Sequence, residues 1–267
     1  MYIDIGVNLA NFNFSDPGEI IENASRWKLD AMILTGTTYH NSKESADIVE
    51  KYSGKHPVKL YSTVGIDPMN AKTWRGNTGW MEKLLQKPYV VAVGKCGLDY
   101  SADRLQGADL DGAKKQQKVC FEDQVKLAQH HRKPIFLHER EASADFTSIL
   151  SKYPEIHGVV HCFTGNRDTA KEYVKMGLWF GITGWLCDNR RNRDLLSALS
   201  VIPLDRIMIE SDAPYLHPLR EGRINHEKNW PSNVYYIIKR LAEELKMDED
   251  KLAQICHDNT IRFFDLH

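Results

Sequence analysis

The sequence predicts an α/β fold, a (β/α)8 TIM barrel, and three observations lead there. Eight short apolar runs recur along the chain, each about four to eight residues long and rich in Val, Ile and Phe. Amphipathic stretches with helical spacing alternate with them. The 267 residues, 42% of them hydrophobic, suffice for one large core, and no Pro/Gly/Ser-rich linker interrupts them, so residues 1–267 are expected to form a single barrel domain. Periodicity does not reveal closure, which leaves a doubly wound open sheet as the alternative.

In chain order, "YIDIGVN" (Tyr2–Asn8) reads as the first strand, and "GEIIENASRWKLD" follows with Ile20, Ile21, Ala24 and Trp27 near one helical face. "AMILTG" (Ala31–Gly36) and "KLYSTVGI" (Lys59–Ile66) are strands two and three, and "VVAVGK" (Val90–Lys95) is a fourth that ends on a lysine. The longer helix in "QKVCFEDQVKLAQHHRK" carries Val119, Cys120, Val125, Leu127 and Ala128 along its apolar side. "PIFLHE" (Pro134–Glu139), "GVVHCF" (Gly158–Phe163), "LWFGITG" (Leu178–Gly184) and "RIMIESD" (Arg206–Asp212) complete the strands, with helical segments before the last two. "NVYYIIKRLAEELKM" and "DEDKLAQICHDNTIRFF" read as two closing helices.

Composition narrows the function classes. A net charge of −1 argues against a surface coated with cations for duplex DNA, though it permits a local basic rim. Five scattered cysteines without a C-x-x-C pair fit buried thiols in a reducing compartment better than disulfides or a zinc finger. No apolar run approaches the roughly 18 residues of a membrane span, and the N-terminus lacks a basic-then-apolar signal pattern. The expectation is a soluble protein of the cytoplasm or nucleus, with no membrane partner.

Catalytic groups of such barrels gather at the carboxyl ends of several strands. Those ends offer Asp4 and Asn8, then Asp67, then Lys95 with Asp99 beyond it, then His138, Glu139 and Arg140, then His161, and finally Glu210, Ser211 and Asp212. Two histidines and an aspartate from strands five, six and eight suggest a divalent metal site. Imidazole nitrogen with carboxylate oxygen suits Zn²⁺ or Mn²⁺, and added carboxylates or waters shift the preference toward Mg²⁺.

The segments "IDIGVNL", "GLD", "FLHER", "VVHCFTG", "GITGWLCDNRR" and "IESDAPYL" together resemble the TatD family of metal-dependent deoxyribonucleases, in family order over residues 2 to 264. The resemblance implies the metal-dependent hydrolase barrel of the amidohydrolase superfamily. It further implies hydrolysis of DNA phosphodiesters, as a 3′-to-5′ exonuclease on single-stranded DNA. It carries metal binding to His138, His161 and Asp212 and a phosphate contact to Arg140, while Arg190 and Arg191 in "DNRRNRD" are either backbone phosphate contacts or a solvated helix start. A water attacks phosphorus, Asp212 serves as ligand and general base, and His161 binds the metal or steadies the leaving group. Trp185 and Trp230 are candidates for stacking on unpaired bases, although packing explains them as well.

Departures from the family pattern are equally informative. The family's strand-one H-x-H positions are Gly6 and Asn8, as in the TatD proper subgroup; "GVHP" reads "GIDP" with Asp67; "GE-x-GLD" reads "GKCGLD" with Lys95; and Ser143 stands for a histidine. Asp67 and Lys95 therefore occupy metal-site positions, and one or two ions of Mg, Mn or Zn are compatible with the set. Three readings of Lys95 stay open. It is a carboxylated lysine bridging two metals, an ammonium paired with Asp67 or Asp212, or a phosphate contact beside a single metal. The ion-pair reading implies an impaired barrel that binds nucleic acid or a protein without turnover.

Overall fold

The computed structural model describes residues 1–10, 16–105, 109–218 and 228–267. Its elements are β1 (Tyr2–Val7), α1 (Pro17–Arg26), β2 (Leu29–Leu34), α2 (Tyr39–Tyr52), β3 (Lys59–Val64), α3 (Gly79–Leu85), β4 (Val90–Asp99), α4 (Leu110–His131), β5 (Ile135–Arg140), α5 (Ser143–Leu150), β6 (Gly158–Val160), α6 (Arg167–Lys175), β7 (Trp179–Ile182), α7 (Arg193–Leu199), β8 (Ile207–Ile209), α8 (Val234–Leu245) and α9 (Glu249–Phe264). Each strand pairs in parallel with the next, from β1 to β8.

Closure decides between barrel and open sheet. The amide of Asp212 donates to Gly6 O at 2.9 Å, the amide of Asn8 donates to Ala213 O at 2.8 Å, and Val7 bridges Ala213 in parallel. The chain just past β8 is thereby stitched to β1. The open-sheet alternative falls.

Local chemistry sets the helix ends. Asp16 caps α1 with Pro17 in the first turn, Asp109 caps α4, and Asp248 caps α9, each accepting a backbone N–H. Inside the barrel Ile3, Ile5, Ile33, Phe136, Val159 and Met208 pack together, while a larger apolar layer fills the space between strands and helices. Phe136 and His138, two residues apart on β5, share one face of the strand.

Three expectations need correction. β4 runs on to Asp99, so Lys95 lies within the strand rather than at its end. The β4–β5 register shifts between Gly94 and Cys96, where a Cβ on Gly94 would come 2.3 Å from Phe136 O. Only glycine tolerates that approach, at φ +122. β6 and β8 stop early, leaving His161 and Asp212 just beyond them. Trp27 and Val119 are 45% and 46% exposed. Trp27 is the residue after α1, and Val119 lies off the Gln117–Cys120–Phe121–Gln124–Val125–Ala128 stripe that α4 buries.

Replacing Gly94 with alanine is expected to destabilise the barrel by at least about 2 kcal/mol, since it adds a clash to a positive-φ penalty. Urea unfolding with an unchanged m-value measures this, and a wild-type midpoint would contradict it.

Candidate active site

Three strands release the chain through left-handed residues at the same end of the barrel. Glu141 follows β5 at φ 55, Cys162 follows β6 at φ 46, and Asp212 follows β8 at φ 53. Non-glycine residues seldom adopt this conformation, and the surrounding structure must hold them in it. The result is a mouth cavity of about 550 Å³, whose lining includes Asn8, Asp67, Lys95, Asp99, Arg140, His138, His161, Trp185 and Asp212. A larger cavity, about 860 Å³, opens among the strand beginnings at Tyr61, Val91, His157 and Phe263. It holds none of the predicted catalytic groups, so volume is a poor guide to chemistry here.

Both histidines are gripped from behind by a buried carboxylate. His138 Nε2 hydrogen-bonds Asp99 at 2.9 Å, and Ser101 donates to Asp99 through its amide (3.1 Å) and hydroxyl (2.5 Å). The Nδ1 of His138 is buried with no hydrogen-bond partner among the described residues. His161 Nδ1 hydrogen-bonds Glu210 at 2.9 Å, and its Nε2 stands 4.0 Å from Asp212 Oδ1. Fixing one ring nitrogen on a carboxylate orients the other, as around metal-binding histidines. Burial pushes His138 down to about 4 and His161 to about 3, and the Lys95 charge pushes the same way, so both rings are neutral near pH 7.

Glu210 is fully buried, and burial raises its carboxyl to about 8. It accepts the Cys162 amide as well as bonding His161. Two glycines make its seat. A Cβ on Gly6 would come 2.6 Å from Glu210 Oε2, and one on Gly181 would come 2.9 Å from Oε1. Gly6 occupies the first position of the family's strand-one pair, and the second is Asn8. The Asn8 amide donates to Asp212 Oδ1 at 3.0 Å and to Ala213 O at 3.3 Å. A residue of barrel closure thus also aims the Asp212 carboxylate. Burial raises the Asp212 pKa, while His161 and Lys95 pull it back.

Lys95 lines this mouth, and among the described residues its Nζ makes no hydrogen bond or ion pair. Burial works against its charge, but Asp212, Asp67 and more distant groups prevail and hold its pKa above the usual lysine value. These carboxylates favour the ammonium over the neutral amine that carboxylation consumes. Asp67 spends one oxygen capping the turn Pro68–Thr73, where Oδ1 accepts the Asn70 amide at 3.0 Å and its side chain at 2.7 Å.

A metal fits this donor set in chemistry, with open spacing. Among the described residues no three His, Cys, Asp or Glu side chains are gathered tightly enough to hold an ion as they stand. Yet His138 Nδ1, buried and unpartnered, with His161 Nε2 and Asp212 gives two imidazoles and a carboxylate, the set suited to one Zn²⁺ or Mn²⁺.

The arginines divide. Arg140 lines the mouth, whereas Arg190 and Arg191 do not. Buried Asp188 binds both of these, at 2.8 Å and 3.0 Å, and the Arg191 guanidinium lies 3.8 Å from the Trp185 ring centre. Trp185 lines the mouth, while Trp230 packs against the core. "NHEKNWP" lies partly outside the described residues, as 225–227 are not among them. Sequence reasoning noticed Asp99, Glu210 and Asn8 at strand ends without a role for them, and it passed over Arg104, which lines the mouth. The D-x-S spacing of Asp99 and Ser101 is an Asx-turn signal that was available.

The family model described as "TatD related DNase" matches residues 3–265. A protein of Edwardsiella piscicida named 3′-5′ ssDNA/RNA exonuclease TatD is 37% identical over 99% of both chains. A relative of the same name from Rahnella sp. is also 37% identical, over 98% of each. Among solved structures, a TatD homologue from Escherichia coli superimposes with a TM-score of 0.87 at 24% identity, covering 100% of this chain and 98% of that one. A TatD-family hydrolase from Entamoeba histolytica gives 0.85 at 24% identity, covering 99% and 98%. These two show the fold.

A methyl group at position 6 tests the seat of Glu210. The Gly6→Ala substitution is expected to cost about 1–3 kcal/mol, because the Glu210 carboxyl must shift from its bonds to His161 and the Cys162 amide to admit the methyl group. A melting temperature equal to that of the parent would refute the packing described.

Proposed function

The chain belongs to the TatD-related DNase family, and from that membership we propose that it is a metal-dependent nuclease removing nucleotides from the 3′ end of single-stranded DNA or RNA. One observation carries the reading. His138, His161 and Asp212 line one mouth, each fixed by Asp99, Glu210 or Asn8. Together they would hold a single divalent ion, Mn²⁺ or Zn²⁺ by donor type and Mg²⁺ if waters complete the shell. Such an ion supplies Lewis-acid polarisation of a water and of a phosphoryl oxygen.

The protein's own groups do the rest. Asp212, aimed by Asn8, accepts the proton of the attacking water. The Lys95 ammonium, without a hydrogen bond or ion pair among the described residues, receives a non-bridging oxygen of the scissile phosphate, and Arg140 receives another. A fixed cation beside Asp212 also opposes a second divalent ion by Coulomb repulsion. Trp185, backed on one face by Arg191, presents its ring to an unpaired base at the mouth. No helix among the described residues is long and apolar enough to cross a membrane.

A second reading draws on Lys95 and the open donor spacing: the barrel binds single-stranded nucleic acid without cutting it. Turnover separates the two. With 3′-labelled single-stranded DNA and Mn²⁺ or Mg²⁺, Asp212→Ala is expected to lower kcat/KM by about 10²–10⁴. Lys95→Met is expected to lower it by about 10². Arg190→Ala and Arg191→Ala should stay within about twofold, because Asp188 already claims both. A parent protein inert with every divalent ion, yet able to bind the strand, would establish the second reading.

A further inference from the structure

The rim beside the mouth carries two arginines, Arg104 and Arg140, and both line the cavity. Their shared partner is Asp103. Arg140 meets it fork to carboxylate, at 3.1 Å to Oδ1 and 3.3 Å to Oδ2, and Arg104 Nε stands 3.6 Å from Oδ2. This two-oxygen geometry is the one in which a guanidinium receives a phosphate. We propose that Asp103 is an intrachain competitor for a phosphate seat formed by Arg104 and Arg140, vacating it when the substrate backbone arrives. The inference rests on the nuclease reading and adds a residue that sets how tightly the strand is held.

The turn that presents Asp103 explains why it returns to the seat. The amides of Arg104 and Leu105 both donate to Ser101 O, at 3.0 and 2.8 Å. Ser101 is anchored in turn on buried Asp99, the partner of His138. A fixed base with an exposed tip keeps the carboxylate close to the arginines at high effective concentration. The pair itself is weak, because the side chains of Asp103 and Arg140 are 58% and 34% exposed and water screens them. A phosphodiester can therefore displace the carboxylate, and at modest cost.

Asp103→Asn keeps the size of the side chain and removes the competing charge. Binding is read by anisotropy of a fluorescent oligothymidylate, with Asp212→Ala present throughout to suppress cleavage. The added Asp103→Asn change is expected to tighten Kd about two- to fivefold. It should also steepen the salt dependence of binding by about 0.7 in the log–log slope, since one more fixed anion no longer compensates a seat cation. Arg104→Ala and Arg140→Ala should weaken binding, and with both arginines removed Asp103→Asn should give no tightening. Unchanged or weaker binding by Asp103→Asn, beside weakened binding by the arginine variants, overturns this inference alone. No binding by any of the proteins overturns the nucleic-acid reading and this inference with it.

Discussion

The mouth of the barrel is organised around a cation supplied by the chain itself. Lys95 lies within the influence of Asp212 and Asp67, and the attraction of these carboxylates outweighs the burial that opposes its charge. Neutral histidines follow from the same field, because a fixed positive charge and burial both oppose protonation of His138 and His161. Burial raises the Asp212 pKa, and His161 and then Lys95 pull it only part of the way back. Under the proposed function, two neutral imidazoles and one carboxylate would hold a single divalent ion, with the positive charge of Lys95 left for phosphate.

That charge stands where it does because backbone geometry permits it. Gly94 lets β4 and β5 approach too closely for any Cβ, and the register shift there turns Lys95 into the mouth from the middle of a strand. On the opposite side Gly6 and Gly181 open the space for Glu210, which locks His161, and Asn8 couples barrel closure to the direction of Asp212. Stability and chemistry share these residues. A substitution that loosens the closing contacts between β1 and the chain after β8 would loosen the Asp212 carboxylate as well.

Much of this was legible in the sequence. All eight strands could be read from short apolar runs, since strands covered on both faces need continuous apolarity. His138, His161, Asp212, Arg140 and Lys95 were found as polar residues interrupting that apolarity, and the structure brings all five to one cavity. Arg190 and Arg191 lie off the mouth and pair with buried Asp188, whose reach the composition of "DNRRNRD" does not reveal. The roles of Glu210, Asp99 and Asn8 depend on pairings between distant strands, 49, 39 and 204 residues apart, which periodicity cannot supply. The state of Lys95 was undecidable for a similar reason: it is set by carboxylates 28 and 117 positions away in the chain, at Asp67 and Asp212.

The claim at the centre of this account is that the Lys95 ammonium leaves room for one divalent ion and only one. Titration of the purified protein with Mn²⁺, following free ion by electron paramagnetic resonance, counts the sites directly. One Mn²⁺ per chain, with a second appearing only when Lys95 is replaced by glutamate, is the predicted result. Two ions bound by the unaltered chain, with a carbamate signal in the carbon-13 spectrum under labelled bicarbonate, would contradict it.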